Sequence, residues 1–320
     1  MNTFKWLLKR EYWEHKGAFF WAPVVVGAIM ILVITVSLII ALAGMGDGMK
    51  INGVNVTSLA TAVTPEQVSA FAAKFIFGYA GVSMPIFIVV GIGVFFFCLG
   101  ALFDERRDRS VLFWKSLPLS DNATVLSKVA MAIVIAPVIA LIIATMTSLI
   151  IVLTVCVAAA VAGVNVFGAV LTNPGIYVAP LQLAAILPIY ALWALPTVGW
   201  LLMVSAWARS KPLLWAVGVP IMTGILVSWA HHLFSFDWNV AWFWKNIVGR
   251  MLGSVLPGGW MSVGPGTFAG DDDAGALTAF SEVLVQSWQM LGGANIWLGA
   301  ATGAAMIYAA IRLRGWRDEG

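Results

Sequence analysis

The sequence predicts an all-α membrane protein of six spanning helices. Three observations predict it: an apolar composition, six long uncharged runs, and basic residues gathered on one side of those runs. Of the 320 residues, 61% are hydrophobic and only 10% are charged, where soluble domains carry about 25% charged residues. Surface grows too quickly relative to volume for a soluble core to hide so much apolar area. Lipid is therefore expected to be part of the solvent, around one continuous bundle.

A membrane span needs about 20 apolar residues. Six runs qualify, at approximately 18–44, 75–103, 129–162, 181–206, 212–230 and 294–311. None contains Asp, Glu, Lys or Arg. The third is longer than lipid requires, so it is expected to tilt or project, with Pro137 as a candidate kink. The first run begins after sixteen mostly polar residues and is too long for a signal core, so it reads as a retained helix.

Orientation follows from lysine and arginine. One side holds Lys5, Lys9, Arg10 and Lys16 at the N-terminus, and Arg106, Arg107, Arg109, Lys115 and Lys128 between runs two and three. It also holds Arg209 and Lys211 between runs four and five, and Arg312, Arg314 and Arg317 at the C-terminus. The other side has only Lys50, Lys74, Lys245 and Arg250. The basic side is predicted to be cytoplasmic, and an even number of spans places both termini there.

Residues 1–17 are expected to form an interfacial amphipathic helix. Phe4, Leu7, Leu8 and Tyr12 recur at helical spacing, with Lys5, Lys9 and Lys16 on another face near anionic lipid. The six-span domain is 18–311, with a cytoplasmic loop at 104–128, an outer segment at 231–293 and a cytoplasmic tail at 312–320.

The 104–128 loop is the most informative stretch. It packs Asp104, Glu105, Arg106, Arg107, Asp108 and Arg109 ahead of Val111, Leu112, Phe113, Trp114 and Leu117. Glu105 and Arg109 stand i,i+4, which supports a helix. Ser120 or Asp121 can cap the next span. A short helix with mixed charge and a large aromatic suits a protein interface, where Arg and Trp often anchor contacts. A plain positive-inside loop is the alternative, but it would not require the acids among the arginines.

Glu105-Arg106, Ser110-Val111-Leu112, Leu117-Pro118, Ser120 and Lys128 resemble permeases of the type-2 ABC exporter family. The sequence likeness covers about 25 residues, whereas the layout of helix, six spans and long outer segment covers the whole chain. The resemblance implies that the loop is a coupling helix contacting a cytoplasmic ABC ATP-binding subunit. Asp104, Glu105, Arg106, Arg107, Arg109, Val111, Trp114 and Leu117 would make that contact. Trp207–Pro212, with Arg209 and Lys211, resembles a second, smaller contact; alone it is a tight turn with two basic residues. The resemblance further implies a second permease subunit, identical or not, in the cytoplasmic (inner) membrane of a bacterium. ATP and Mg would be bound by the partner, with no cofactor in this chain.

A substrate path through the bundle is expected to be apolar with hydroxyls. The candidates are Thr145, Thr147, Ser148 and Thr154 on span three and Tyr190 and Thr197 on span four. Such a lining suits an amphipathic or lipid-like cargo, although hydroxyls in spans also bond their own backbone.

The outer segment carries Trp238, Trp242, Trp244 and Trp260 with Phe234, Phe236 and Phe243. Short helices at the outer leaflet are expected there, because tryptophan favours the headgroup layer. His231, His232 and Asp237 have poor geometry for a metal, since adjacent histidines on a helix point apart. Asp271, Asp272 and Asp273 lack the spacing of a calcium loop. Cys98 and Cys156 lie in apolar runs and read as packing residues. Gly299 and Gly303 form a pair that lets two spans approach closely.

Absences narrow the function. No Gly-x-x-x-x-Gly-Lys-Ser/Thr motif occurs, so this chain does not cradle ATP by a P-loop. The spans lack the ionisable groups that ion-coupled carriers usually use. No nucleic-acid partner is indicated by a net charge of +3. Two alternatives stay open: a non-transporting membrane anchor for a cytoplasmic ATPase, and a stand-alone membrane enzyme with its site in the outer segment. The expected role is a transport subunit that is not itself an enzyme.

Overall fold

The computed structural model describes residues 3–44, 50–51, 54–55, 65–108, 120–234, 239–256, 258–259 and 282–317. Six helices are long and apolar enough to cross a membrane: Gly17–Ala43, Gly81–Arg107, Asp121–Val161, Gly175–Trp207, Pro212–Phe234 and Ala294–Trp316. They are called spans one to six below. A two-stranded antiparallel hairpin, Lys50–Ile51 with Val54–Asn55, is a small addition to the predicted all-α chain.

The spans start and stop where local chemistry requires. Span three begins at the Ser120 cap, whose hydroxyl accepts from the Ala123 amide at 3.2 Å. It therefore starts eight residues before the apolar run does, because the turn Asp121–Lys128 is polar but still helical. Its 41 residues make about 60 Å of helix, twice the ~30 Å hydrocarbon thickness. A π-helical turn at Met131–Ile135 directly precedes Pro137, and irregular turns of this kind accommodate a bend. Span four starts earlier than its apolar run, at Gly175, where the Asn173 side chain accepts from the Gly175 amide. Span six runs on past its apolar run to Arg317, carrying Arg312 and Arg314 in helical register.

The N-terminal helix, Thr3–Glu14, enters span one through a π-helical turn at Gly17–Trp21. Its buried side holds Leu7 and also Glu11, while Trp6 and Trp13 are exposed. The apolar stripe expected to meet lipid thus faces the protein in part, and the exposed face carries tryptophan and lysine. Lys9 sits over the Trp6 ring and Lys16 over the Trp13 ring, each 5.2 Å from the centroid.

Span four is the hub. It packs most extensively on span six and also meets spans two, three and five. Glycine permits the closest contact. A Cβ on Gly303 of span six would lie 2.5 Å from the Leu195 backbone, and one on Gly199 would lie 2.4 Å from the Gly303 carbonyl oxygen. Gly303 thus performs the role expected of the small-residue pair, whereas Gly299 packs against the Arg250 guanidinium. The main core includes Phe19, Val94, Cys98, Ile189, Val198 and Leu201. Both cysteines are free and buried. Span one is the least buried of the six.

Candidate functional site

The N-terminal helix and the end of span six meet at one end of the bundle, and there they share a lattice of buried charge. Lys128 Nζ donates to both carboxylate oxygens of Glu11, at 3.0 and 3.1 Å, and pairs with Glu105 Oε1 at 2.9 Å. Arg10 bonds Glu11 and also Glu105, the latter at 3.0 Å. Arg314 donates through Nη1 to Glu105 Oε2 at 2.8 Å and through Nε to Asp121 Oδ1 at 3.0 Å. Among the described residues its inner part sets Glu11, Glu105 and Asp121 against Arg10, Lys128 and Arg314, and the exposed Glu14 lies 3.8 Å from Arg10 at the rim. That pairing is needed, because Glu11 and Lys128 are 0% and 2% exposed and an uncompensated charge there would be strongly unfavourable.

The lattice joins four elements: the N-terminal helix, the end of span two, the start of span three and the end of span six. Span four is tied in by Arg106. Its Nη2 donates to the carbonyls of Ser205 and Ala208, the latter at 3.1 Å, and its Nε to Leu102 at 3.3 Å. A guanidinium at a helix C-terminus satisfies orphan carbonyls and opposes the negative end of the dipole. The Ser205 hydroxyl completes the joint by accepting from the amides of Leu102 and Phe103, both at 3.0 Å.

The predicted partner-contact residues therefore divide. Glu105 and Arg106 are turned inward and engaged within the chain. Asp104 and Arg107 are exposed. Arg109, Val111, Trp114 and Leu117 lie outside the described residues. Arg209 and Lys211 are exposed on the turn between spans four and five, where Lys211 adopts a left-handed backbone with φ of 47°.

The predicted path hydroxyls also divide. Tyr190 donates to the Val255 carbonyl at 2.9 Å, and Thr197 donates to the Arg250 carbonyl at 2.6 Å while accepting from the Ser254 amide at 3.0 Å. These two fasten the segment between spans five and six onto span four. Thr154 bonds the Ile150 carbonyl of its own helix. Thr147 packs against Gly27 of span one, and Ser148 is buried. Thr145 is partly buried.

No known protein family, curated protein or solved structure matches the chain. What can be said of the site rests on its geometry.

Among the described residues, Glu11, Glu14 and His15 bring metal-capable atoms within 4.8 Å of one another. Lys128 and Arg10 already occupy the Glu11 carboxylate, and two cations there oppose a third. The group is better read as part of the lattice.

At the opposite end, a helical stretch from Val240 to Gly253 packs against spans four and five. Its Trp244 donates to the Ser228 hydroxyl of span five at 2.9 Å and covers Gly224. Short helices were expected here, and their tryptophans are only partly surface features. Arg250 is buried and stacks on Trp193, 4.2 Å from the ring centroid. Burial pulls its guanidinium below the ordinary pKa.

In the sequence Arg10 and Arg314 mark topology, Lys128 marks topology and belongs to the permease-like pattern, and Glu11 and Ser205 do not stand out. The one available signal was charge out of place. Glu11 sits on the Leu7 side of the N-terminal helix, away from its exposed lysines, and Lys128 abuts an apolar run.

Proposed function

We propose that this chain is the membrane permease subunit of an ATP-driven exporter of the type-2 ABC class. A separate cytoplasmic ABC ATP-binding subunit would supply the ATP site, and a second permease subunit would complete the path. The end bearing both termini is read as cytoplasmic, in the inner membrane of a bacterium. The exposed Trp6–Lys9 and Trp13–Lys16 pairs would hold the N-terminal helix at the lipid headgroups.

One observation carries the reading. Glu105 and Arg106 stand just before residues 109–119 in the chain, which lie outside the described residues, and Asp121 stands just after them. All three residues are locked into the lattice or its joint. A force applied to that segment would reach spans two, three, four and six together. This is what a lever between a cytoplasmic motor and a membrane path requires. Asp104, Arg107, Arg209 and Lys211 offer exposed charge near the Arg106 joint for contact with the motor. The cargo is read as amphipathic or lipid-like, because the spans are apolar.

The test is a detergent pull-down of the tagged full chain from its native membrane, with mass spectrometry of what co-purifies. A stoichiometric P-loop ATPase, lost on Arg107→Glu, is the expected result. Arg107 suits this better than Arg106, whose reversal would release span four itself. Recovery of an ATPase whose hydrolysis moves no cargo would favour a membrane anchor. Absence of any ATPase under mild conditions would overturn the exporter reading and favour a stand-alone enzyme.

A further inference from the structure

We propose that Arg250 is an anion-recognition residue that binds the acidic headgroup of an amphipathic molecule beside the first turns of span six. The side chain is only 7% exposed. Its Nη1 donates to the Asn295 carbonyl at 2.7 Å, and its face lies on Trp193. Its Nε and Nη2 are buried and have no hydrogen-bond partner. No carboxylate among the described residues pairs with it. The contrast with the other end is direct, because there the buried Lys128 and Arg314 each pair with carboxylates.

The two unpartnered nitrogens point to the ligand. Nε and Nη2 form the edge of a guanidinium that presents two parallel N–H bonds, the arrangement that matches two oxygens of a carboxylate or phosphate. The Nη1 bond and the Trp193 stack hold the group from its other sides.

The setting adds a second, independent reason. Arg250 contacts Asn295 and Gly299, in the opening turns of a 24-residue helix. A helix N-terminus carries partial positive charge and unsatisfied N–H groups. The preceding residue, Gly293, has no side chain with which to cap them. A cation placed there raises the positive potential when stability alone would call for an acid. An anion answers both groups at once. Gly299 makes the placement possible, since a Cβ there would lie 2.1 Å from Nη2. The apolar surroundings on span four favour a ligand with an apolar tail.

Binding is read on the chain alone, without any ATPase, so its failure is distinct from failure of the exporter reading. The full chain is placed in phosphatidylcholine nanodiscs, with Lys5, Lys9 and Lys16 changed to Gln so that the other end does not report. Phosphatidylglycerol is titrated in one arm and inorganic phosphate in the other, with thermal unfolding and native mass spectrometry as readouts. Stabilisation by phosphatidylglycerol alone identifies a lipid headgroup, by phosphate alone a small oxyanion, and by both the shared oxyanion chemistry. Arg250→Gln is expected to weaken that binding about thirtyfold or more, and Arg250→Lys to weaken it less. No stabilisation in either arm with native Arg250 overturns the proposal, whatever the variants do. Equal binding by Arg250→Gln overturns it as well.

Discussion

The ammonium of Lys128 sits between the carboxylates of Glu11 and Glu105, and Glu11 lies 117 positions earlier in the chain. The three side chains come from the N-terminal helix, the end of span two and the start of span three. All are largely removed from water. Charge in that position is stable only while every partner remains.

Removing both partners should therefore cost less than the two single removals added together. Lys128→Met leaves Glu11 and Glu105 facing each other and is expected to cost about 3–5 kcal/mol. The pair Glu11→Gln with Lys128→Met should cost less than the sum of the single changes. Unfolding of the four proteins in detergent gives the cycle, and simple additivity would show that the pair is not coupled.

Arg106→Ala should release the end of span four. Hydrogen bonds to a charged group are worth about 1.5–3 kcal/mol. A loss of that order is expected, with faster amide exchange at Leu102 and Phe103, whose partner Ser205 would shift. Arg106→Lys should restore little, because an ammonium cannot reproduce the planar fork. Unchanged exchange at both amides would separate Arg106 from this joint.

Gly303→Ala places a methyl against the Leu195 backbone and should cost about 1–3 kcal/mol by forcing spans four and six apart. Gly218→Ala in span five is the control, since a Cβ there meets nothing within 4 Å. Helix propensity predicts that the control is neutral or up to about 1 kcal/mol more stable. Equal effects at the two glycines would contradict the packing described.

Lys211 holds a left-handed backbone immediately before Pro212. A side chain in that conformation costs about 1–2 kcal/mol, and glycine adopts it freely. Lys211→Gly is expected to raise the unfolding midpoint by the equivalent of about 1 kcal/mol. If Lys211 also meets an ATPase, the same variant should bind that partner less well while being more stable. A contact and a backbone strain are thereby separated in one protein.

Much of the architecture was legible because hydropathy acts locally. Each of the six runs is apolar over a length that lipid demands, and each becomes a helix. The Ser120 cap was legible for the same reason, since a cap acts within three residues. Spans three and six extend beyond their apolar runs because Asp121–Lys128 and Arg312–Arg317 are polar yet helical. Hydropathy marks where lipid begins, not where hydrogen bonding stops.

The candidate site was legible only in outline. Glu105 and Arg106 stood out as charges beside a span. Mixed charge beside a large aromatic pointed to a partner contact, and the structure engages both residues within the chain. Glu105 reaches Arg10, Lys128 and Arg314, with Arg314 209 positions away, and Arg106 reaches residues about 100 positions away. Tyr190 and Thr197 looked like lining, but each finds a backbone partner in the segment between spans five and six.

The sequence alone determined that this chain is helical, six times long and apolar enough to cross a membrane, and basic predominantly on one side. Those properties are sums over neighbouring residues, and no distant contact alters them. Only the tertiary structure decided that Glu11 meets Lys128, that Arg106 closes span four and that Arg250 is buried with no carboxylate partner among the described residues. A buried charge is defined by what surrounds it in space, and its surroundings here come from helices far apart in the chain.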